Sequence, residues 1–281
     1  MPYFIAEVSS NHSSSLERCI QFIDIAAEIG CEVIKFQLFK IDQLFASEIL
    51  QKSPSHNERR QWELPISFIP EISKRCKAKN IKFACTPFYL DAVDELNDYV
   101  DIFKISSYEL LWLKLLEKVA ETTKQTIVST GMAETREILN AVDVFNKNGI
   151  APTLLHCTSA YPTPITEANL AAIETLRKLS KCEVGWSDHT VNEGVIQRAI
   201  HRWSASCIEF HLDIEGEGSE YKNGHCWLPS EIAPVIRSVR DALKADGDGI
   251  KIPTESEIGD RCWRADPLDG LRPLLHVRSS Y

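Results

Sequence analysis

Eight short apolar runs recur along this 281-residue chain, and each is followed by a longer amphipathic segment. Short runs of this kind are typical of buried strands, and the longer segments have helical periodicity. The predicted strands are Tyr3–Val8, Val33–Gln37, Ile81–Cys85, Ile102–Ile105, Thr126–Ser129, Thr153–His156, Glu183–Trp186 and Cys207–His211. The predicted helices are Leu16–Glu28, Ile66–Lys79, Ala92–Leu96, Trp112–Thr122, Arg136–Asn146, Ala168–Leu179, Glu193–Trp203 and Pro229–Lys244.

Eight β-then-α units favour a closed (β/α)8 TIM barrel. An open sheet of eight parallel strands is the alternative. No G-x-G-x-x-G motif follows the first strand, so dinucleotide binding has no support. We expect the barrel to span residues 1–245, and residues 246–281 to form a tail that packs on it rather than a second domain. The long connection from Phe39 to Pro65 is predicted to be either a lid over the site or a surface insertion.

Composition limits the functional class. No run approaches the roughly 18 apolar residues of a membrane span, and the N-terminus leads into a strand without a basic segment. A net charge of −9 argues against a general nucleic-acid binder. The nine cysteines form no C-x-x-C pair, which is typical of a reducing compartment. We therefore expect a cytoplasmic protein without catalytic cysteines, membrane contacts or nucleic-acid partners.

Two lysines interrupt apolar strands. Lys35 and Lys104 each stand where a core residue is expected, and a buried ammonium group needs a partner or a bound anion. In a barrel the carboxyl ends of the strands meet at one face, where hydroxyl groups also gather. The pattern predicts a phosphate or carboxylate site. Structural ion pairs with Glu7 or Glu209 and Schiff-base chemistry are the alternatives. Glu7, which also interrupts an apolar strand, is a candidate general base.

Two histidines follow neighbouring strands. His189 lies in Trp186-Ser187-Asp188-His189-Thr190, and His211 ends Glu209-Phe210-His211. Two imidazoles at adjacent strand ends, beside carboxylates, predict a site for one divalent ion such as Mn²⁺, Fe²⁺, Zn²⁺ or Mg²⁺. His12 and His156 compete with them as ligands.

These segments together resemble the sialic acid synthase family. The matching motifs, in order, are Ile5-Ala6-Glu7-Val8 with Asn11-His12, Val33-Ile34-Lys35-Phe36-Gln37, Cys85-Thr86-Pro87-Phe88, Phe103-Lys104-Ile105-Ser106-Ser107-Tyr108-Glu109, Val128-Ser129-Thr130-Gly131-Met132-Ala133, Leu155-His156-Cys157-Thr158-Ser159-Ala160-Tyr161-Pro162, Ser187-Asp188-His189-Thr190 and Ile208-Glu209-Phe210-His211. One such motif would be weak, but eight in register are highly specific.

The resemblance implies a metal-dependent transferase that condenses phosphoenolpyruvate with an N-acetylhexosamine-type sugar, giving a nonulosonic acid and phosphate. His189 and His211 would hold Mn²⁺ or Mg²⁺, and Glu7, Lys35 and Lys104 would be catalytic. The positions that match phosphoenolpyruvate-binding residues are Lys35, Thr86, Lys104, Ser107, Ser129, Ser159 and Ser187. The positions that match sugar contacts are Gln37, Tyr161 and Glu209, with Glu220 as a substitute carboxylate.

Three departures from the family pattern concern the sugar. The family usually carries a C-terminal antifreeze-like domain that reaches the partner subunit, and we expect it to be absent here. The family's P-G-P-D-type segment after the last strand is replaced by residues 213–227, in which Glu220 would act. The tail is not the usual linker, so Arg264 or Arg272 would either fold over the site or pack on the surface.

Two other functions remain open, a metal-dependent keto-acid aldolase or lyase and a non-catalytic sugar-binding barrel. The sequence is also compatible with a homodimer.

Overall fold

Eight parallel strands close into a barrel in the computed structural model, which describes residues 1–280. The strands are β1 (Tyr3–Glu7), β2 (Val33–Leu38), β3 (Lys82–Pro87), β4 (Ile102–Ile105), β5 (Gln125–Ser129), β6 (Thr153–His156), β7 (Val184–Asp188) and β8 (Cys207–Leu212). Each strand pairs with its neighbour in sequence, and β1 also pairs with β8, so the sheet has no open edge there. The predicted (β/α)8 fold is confirmed, and the open sheet is excluded.

The principal helices alternate with these strands. They are α1 (Leu16–Glu28), α2 (Ile69–Lys79), α3 (Leu90–Asn97), α4 (Leu113–Glu121), α5 (Thr135–Lys147), α6 (Ala172–Ser180), α7 (Glu193–His201) and α8 (Pro229–Ala245). In α1, the Ser15 hydroxyl accepts the Arg18 N–H and so caps the first turn. Its buried residues, which include Cys19, Phe22 and Ala26, recur at the spacing of one helical face.

The long connection after β2 is more ordered than its sequence indicates. It contains short helices at Ile41–Leu44, Ser47–Lys52 and Pro54–Glu58 and 3₁₀ turns at Arg59–Trp62 and Ile66–Phe68. The Ser14 hydroxyl donates a hydrogen bond to the Gln61 carbonyl at 2.9 Å, which holds this connection beside the residues that follow β1. The contact places the connection near the carboxyl end of the barrel, and its role as a lid stays a prediction.

The segment after β8 was not predicted to contain regular structure. It forms a short helix at Ser219–Lys222 and then the two-residue strand β9 (Cys226–Trp227), which pairs with β8. Asp213 N–H donates to the Trp227 carbonyl at 3.0 Å, so the two ends of the loop lie together. We call residues 213–227 the return segment.

One layer of apolar side chains fills the barrel. It consists of Ile5, Val33, Ala84, Ile102, Ile127, Leu155 and Cys207, all of them buried. Because side chains alternate along a strand, the residue two positions later faces the same interior. Those positions are Glu7, Lys35, Thr86, Lys104, Ser129, Cys157, Ser187 (two after Gly185) and Glu209. An apolar floor therefore lies directly beneath a polar ring at the carboxyl ends of the strands.

A second compact unit begins at Asp241. It contains 3₁₀ turns at Glu255–Glu257 and Arg261–Trp263 and a short helix at Leu275–Arg278. Buried Asp266 accepts the Leu268 and Leu275 N–H groups, which organises its last turns. The domain boundary and the packing of the tail stay predictions. Among the described residues, no helix is both long and apolar enough to cross a membrane.

Candidate active site

The polar ring contains a buried network of two lysines and two glutamates. The Lys35 ammonium lies 2.7 Å from Glu7 Oε2 and 3.7 Å from Glu209 Oε2. The Lys104 ammonium lies 3.4 Å from Glu209 Oε1. All four side chains are less than one-tenth exposed. The lysines therefore have carboxylate partners, yet each ammonium has three donors, and Lys104 uses only one of them within this network.

The network shifts the ionisation of its members. Burial alone would raise the pKa of Glu209, but Lys104 and Lys35 lower it to about 2. Burial lowers the pKa of Lys104, which Glu209 only partly offsets. Burial also opposes the charge of Lys35, yet Glu209 and Glu7 raise its pKa overall. The two lysines and the two glutamates balance in charge. Because the pKa is lowered for Lys104 but raised for Lys35, a bound anion would stabilise the charged form of Lys104 more.

Glu7 is held by three donors. Besides Lys35, the Gln37 side-chain amide donates to its Oε1 at 2.6 Å, and the Ser9 backbone N–H donates to the same oxygen at 3.1 Å. This arrangement fixes the carboxylate at the end of β1, where its register partner on β8 is His211. Glu7 is therefore positioned between the lysine network and the histidines.

The two predicted metal ligands lie side by side. The ring centroids of His189 and His211 are 5.4 Å apart, and the Tyr161 ring lies 4.3 Å from His189 and 5.9 Å from His211. His189 Nδ1 is 2.9 Å from the Thr158 carbonyl, and His211 Nδ1 is 2.8 Å from Glu220 Oε2. Because oxygen acceptors hold both Nδ1 atoms, Nε2 is the nitrogen left on each ring for a metal.

The environment of the pair suits metal binding. Burial lowers the pKa of His189 to about 3, and His211 adds to the effect, so the imidazole stays neutral as a metal ligand requires. Burial alone would lower the pKa of His211, but its bond to the Glu220 carboxylate raises it. A carboxylate behind a histidine is a common support for a metal ligand. The residues present therefore fit a divalent ion.

Both oxygens of Glu220 are occupied by protein donors. Its Oε1 accepts the hydroxyls of Ser9 at 2.5 Å and Ser10 at 3.0 Å, and its Oε2 accepts His211 and lies 3.6 Å from Cys226 Sγ. Ser9 thus contacts Glu7 through its backbone and Glu220 through its side chain. With φ at 50°, Ser9 adopts the left-handed conformation, and this one residue links the lysine network to the histidines.

A third histidine lies beside this pair. One possible donor atom each from His211, Glu220, His225 and Cys226 lies within 4.8 Å of the other three. The sequence analysis predicted His211 as a metal ligand and Glu220 as a sugar contact, and it assigned no role to His225. The competing candidates lie outside this group. His12 Nδ1 accepts the Ser14 N–H, and His156 Nε2 lies 3.0 Å from the Ala168 carbonyl.

The predicted hydroxyl residues lie around the same ring. The Ser187 hydroxyl donates to Glu209 at 3.0 Å, and the Ser107 hydroxyl accepts the Gly131 N–H at 3.0 Å. An added Cβ at Gly131 would collide with Ser159 Oγ and lie 2.8 Å from Ser107 Oγ, so both hydroxyls face this glycine closely. The buried Thr86 hydroxyl has no hydrogen-bond partner, and Ser129 is buried at the end of β5.

Asp188 anchors the turn that presents His189. Its carboxylate is fully buried and accepts the indole N–H groups of Trp186 at 3.1 Å and Trp227 at 3.2 Å. It also accepts the backbone N–H groups of Thr190 and Val191. Burial raises the pKa of this carboxyl, while these donors oppose the shift. Asp188 therefore ties the end of β7, directly before His189, to Trp227 of β9.

Comparisons with known proteins identify the family of this chain. The chain is 37% identical over 268 residues to the N,N'-diacetyllegionaminic acid synthase of Campylobacter jejuni subsp. jejuni serotype O:2, covering 90% of this chain and 80% of that protein. It is 30% identical over 263 residues to the pseudaminic acid synthase of C. jejuni serotype O:23/36, covering 88% and 75%.

Among solved structures, the chain resembles N-acetylneuraminic acid (sialic acid) synthetase from Leptospira borgpetersenii serovar Hardjo-bovis in complex with citrate. The TM-score is 0.82 at 30% identity, over 92% of this chain and 90% of that one. The NeuB family model matches residues 22–251, which contain every predicted site residue except Glu7. Barrel, site and relatives thus lead to one assignment: this chain belongs to the NeuB family.

Proposed function

We propose that this chain condenses phosphoenolpyruvate with the aldehyde of an N-acetylhexosamine-type sugar, forming a nonulosonic acid and phosphate. The observation that carries the proposal is the buried ring of two lysines and several hydroxyls beside a supported histidine pair. Family membership supports a nonulosonic acid synthase, since relatives make legionaminic and pseudaminic acids.

The lysines and hydroxyls would hold phosphoenolpyruvate. Lys104 has unused donors, and the Thr86 hydroxyl lacks a partner, so an anion would satisfy groups that are costly to bury alone. Ser107 and Ser159, which face Gly131, would add donors on the opposite side of the barrel from Glu7. Ser129 and Ser187 complete the predicted set.

The condensation consumes one water. It forms a carbon–carbon bond and a bond from carbon 2 to the water oxygen, it breaks the bond from carbon 2 to the phosphate oxygen, and the two protons of the water end on the former aldehyde oxygen and the phosphate. Carbon 3 of phosphoenolpyruvate attacks the aldehyde carbon, water adds to carbon 2, and that carbon's bond to the phosphate oxygen then breaks. Glu7 would take the proton from the water, a role supported by the contacts with Gln37, Lys35 and Ser9 that fix its carboxylate. Lys35 would stabilise the negative charge that moves to the departing phosphate.

A divalent ion bound by His189 and His211 would polarise the aldehyde oxygen as a Lewis acid. The side chains themselves would orient the sugar. Tyr161, which packs on both imidazoles, and Gln37, which is fixed by Glu7, are the proposed sugar contacts together with Glu209. We propose an N-acetylhexosamine-type aldose as the class of acceptor and no single sugar, because the relatives make different acids.

The test is phosphate release from phosphoenolpyruvate with Mn²⁺ or Mg²⁺ against a panel of sugars that includes N-acetylmannosamine. We expect release with at least one sugar, and its loss in both His189→Ala and His211→Ala. Release that persists in both variants would contradict the role of the histidines. Cleavage of a keto acid without phosphate release would instead indicate an aldolase, and sugar binding without turnover would indicate a binding-only barrel.

A further inference from the structure

We propose that His225 is a third imidazole ligand of the metal, so that this chain binds later first-row ions such as Co²⁺ and Zn²⁺ in preference to Mg²⁺. The inference deepens the proposed function, since it concerns the metal of the same site. It rests on the return segment, which brings to the site a histidine that the strand motifs do not contain.

The first argument is proximity. The ring centroid of His225 lies 5.2 Å from that of His211, close to the 5.4 Å that separates His211 from His189. The Tyr161 ring lies 5.2 Å from His225 and also packs on the other two imidazoles. Three imidazoles therefore surround one tyrosine, with His211 in the middle. The spacing of His225 from His211 therefore matches the spacing within the predicted ligand pair.

The second argument is an unsatisfied buried atom. His225 is 6% exposed, and its Nδ1 has no hydrogen-bond partner. A buried polar nitrogen without a partner costs free energy, and coordination to a metal ion would remove this cost. His225 Nε2 lies 3.6 Å from Glu220 Oε2, the same oxygen that contacts His211 Nδ1.

The third argument is the role of Glu220. One carboxylate oxygen lies against a ring nitrogen of both His211 and His225, which leaves His211 Nε2 and His225 Nδ1 as the other nitrogens. Glu220 is therefore a positioning residue that orients two imidazoles and adds one negative charge. Cys226 belongs to the same group, but its thiol is hydrogen-bonded to Glu220, and we assign it no ligand role.

Ligand chemistry then sets the choice of metal. Imidazole nitrogen suits Zn²⁺, Fe²⁺ and Ni²⁺, whereas Mg²⁺ prefers carboxylate oxygen and water. Two histidines with water can accept Mn²⁺ or Mg²⁺, but a third imidazole moves the site toward the later ions. The prediction is specific to chains that carry a histidine at this place in the return segment.

The experiment measures metal binding without turnover. Metal-free protein is titrated with Co²⁺ by calorimetry, alone and with Mg²⁺ in large excess. We expect wild-type protein to bind one Co²⁺ that Mg²⁺ does not displace. Because loss of a group that merely supports a ligand costs about 10- to 100-fold in affinity, His225→Gln should weaken Co²⁺ binding at least about tenfold. His156→Gln, which changes a mostly buried histidine outside the group, is the matched control and should leave the affinity within twofold.

A second measurement does not depend on any variant folding. Pulsed electron paramagnetic resonance of Cu²⁺-loaded wild-type protein counts the imidazoles on the ion. Three imidazoles support the inference, and two overturn it, as does unchanged Co²⁺ affinity in folded His225→Gln. Two imidazoles with sugar-dependent phosphate release would sink this inference alone. Three imidazoles with no release from any sugar would sink the proposed reaction alone.

Discussion

The lysine network and the histidine cluster, which consists of His189, His211 and His225 with Glu220, lie at the same end of the barrel. The two are built from different parts of the chain. Lys35, Lys104, Glu7 and Glu209 are strand residues, each two positions after a residue of the apolar floor. His225 and Glu220 belong to the return segment, and His211 at the end of β8 connects the two parts. One half of the site is therefore part of the barrel's own packing, whereas the other half depends on how a loop returns to the sheet.

This difference separates stability from binding. A change in the strand-borne half, the lysine network, disturbs buried charges beside the core and should lower the free energy of unfolding. A change in the loop-borne half, Glu220 and His225, should mainly lower the affinity for the metal. The following variants test that separation.

The largest effect is expected for Glu209→Ala, which removes the carboxylate that both lysines contact. Breaking a buried ion pair by removing one partner leaves an uncompensated charge, so the free energy of unfolding should fall by about 3–5 kcal/mol. Urea unfolding measures it. Asp94→Ala, which breaks an exposed pair with Lys118, is the control and should cost about 1 kcal/mol or less. An equal decrease in the free energy of unfolding in the two variants would mean that the lysine network does not stabilise the barrel.

The next effect is expected for Glu220→Gln. The amide keeps the shape but loses the charge that supports His211, so metal affinity should fall about 10- to 100-fold. The free energy of unfolding should fall less than in Glu209→Ala, by about 1–3 kcal/mol. Glu217→Gln, an exposed change in the same segment, should alter neither quantity. A Glu220 variant that loses stability but keeps its metal would refute the separation.

A smaller effect is expected for Gly131→Ala. The new methyl group would push Ser159 and Ser107 away from the ring, at a cost of about 1–3 kcal/mol, and weaken phosphoenolpyruvate binding about tenfold or more. Calorimetry with phosphoenolpyruvate measures the affinity. The control is Gly259→Ala, where a Cβ meets no atom within 4 Å. Unchanged affinity in a folded Gly131 variant would remove these two hydroxyls from the proposed anion site.

The smallest effect is expected for Ser9→Gly. Glycine relieves the left-handed conformation, worth about 1–2 kcal/mol, while the hydroxyl bond to Glu220 is lost, so stability should change by about 1 kcal/mol or less. Metal affinity should nevertheless fall severalfold, because Glu220 loses a donor. Ser13→Gly has the same φ and an exposed side chain, and it should keep full affinity.

The strand-borne half was predictable because two signals coincide in it. Strands β4 and β6 have the predicted bounds, since their apolar runs end sharply at polar residues. Lys35 and Lys104 stand out as charges inside such runs, and their carboxylate partners were among the alternatives that the sequence left open. The sequence could not show which glutamate contacts which lysine, because that depends on how far each side chain reaches across the barrel.

The loop-borne half was only partly predictable. Glu220 was proposed as a sugar contact, but both its oxygens accept protein donors, and its role with the sugar stays a prediction. His225 was missed because β9 has two residues and the preceding helix four, too few to produce a periodic signal. The only available signal was composition: a histidine beside a cysteine in a segment that departs from the family pattern. The helices between Phe39 and Pro65 escaped prediction for the same reason.

The two ends of the return segment are fixed to each other and to the barrel. The Asp213 N–H donates to the Trp227 carbonyl, and the Trp227 indole N–H donates to the Asp188 carboxylate at the end of β7. Because both contacts lie at the ends of the segment, we expect changes between them to leave the eight barrel strands in place. If the proposed reaction holds, an exchange of this segment is expected to change the metal or the acceptor while the strand-borne lysine network stays in place.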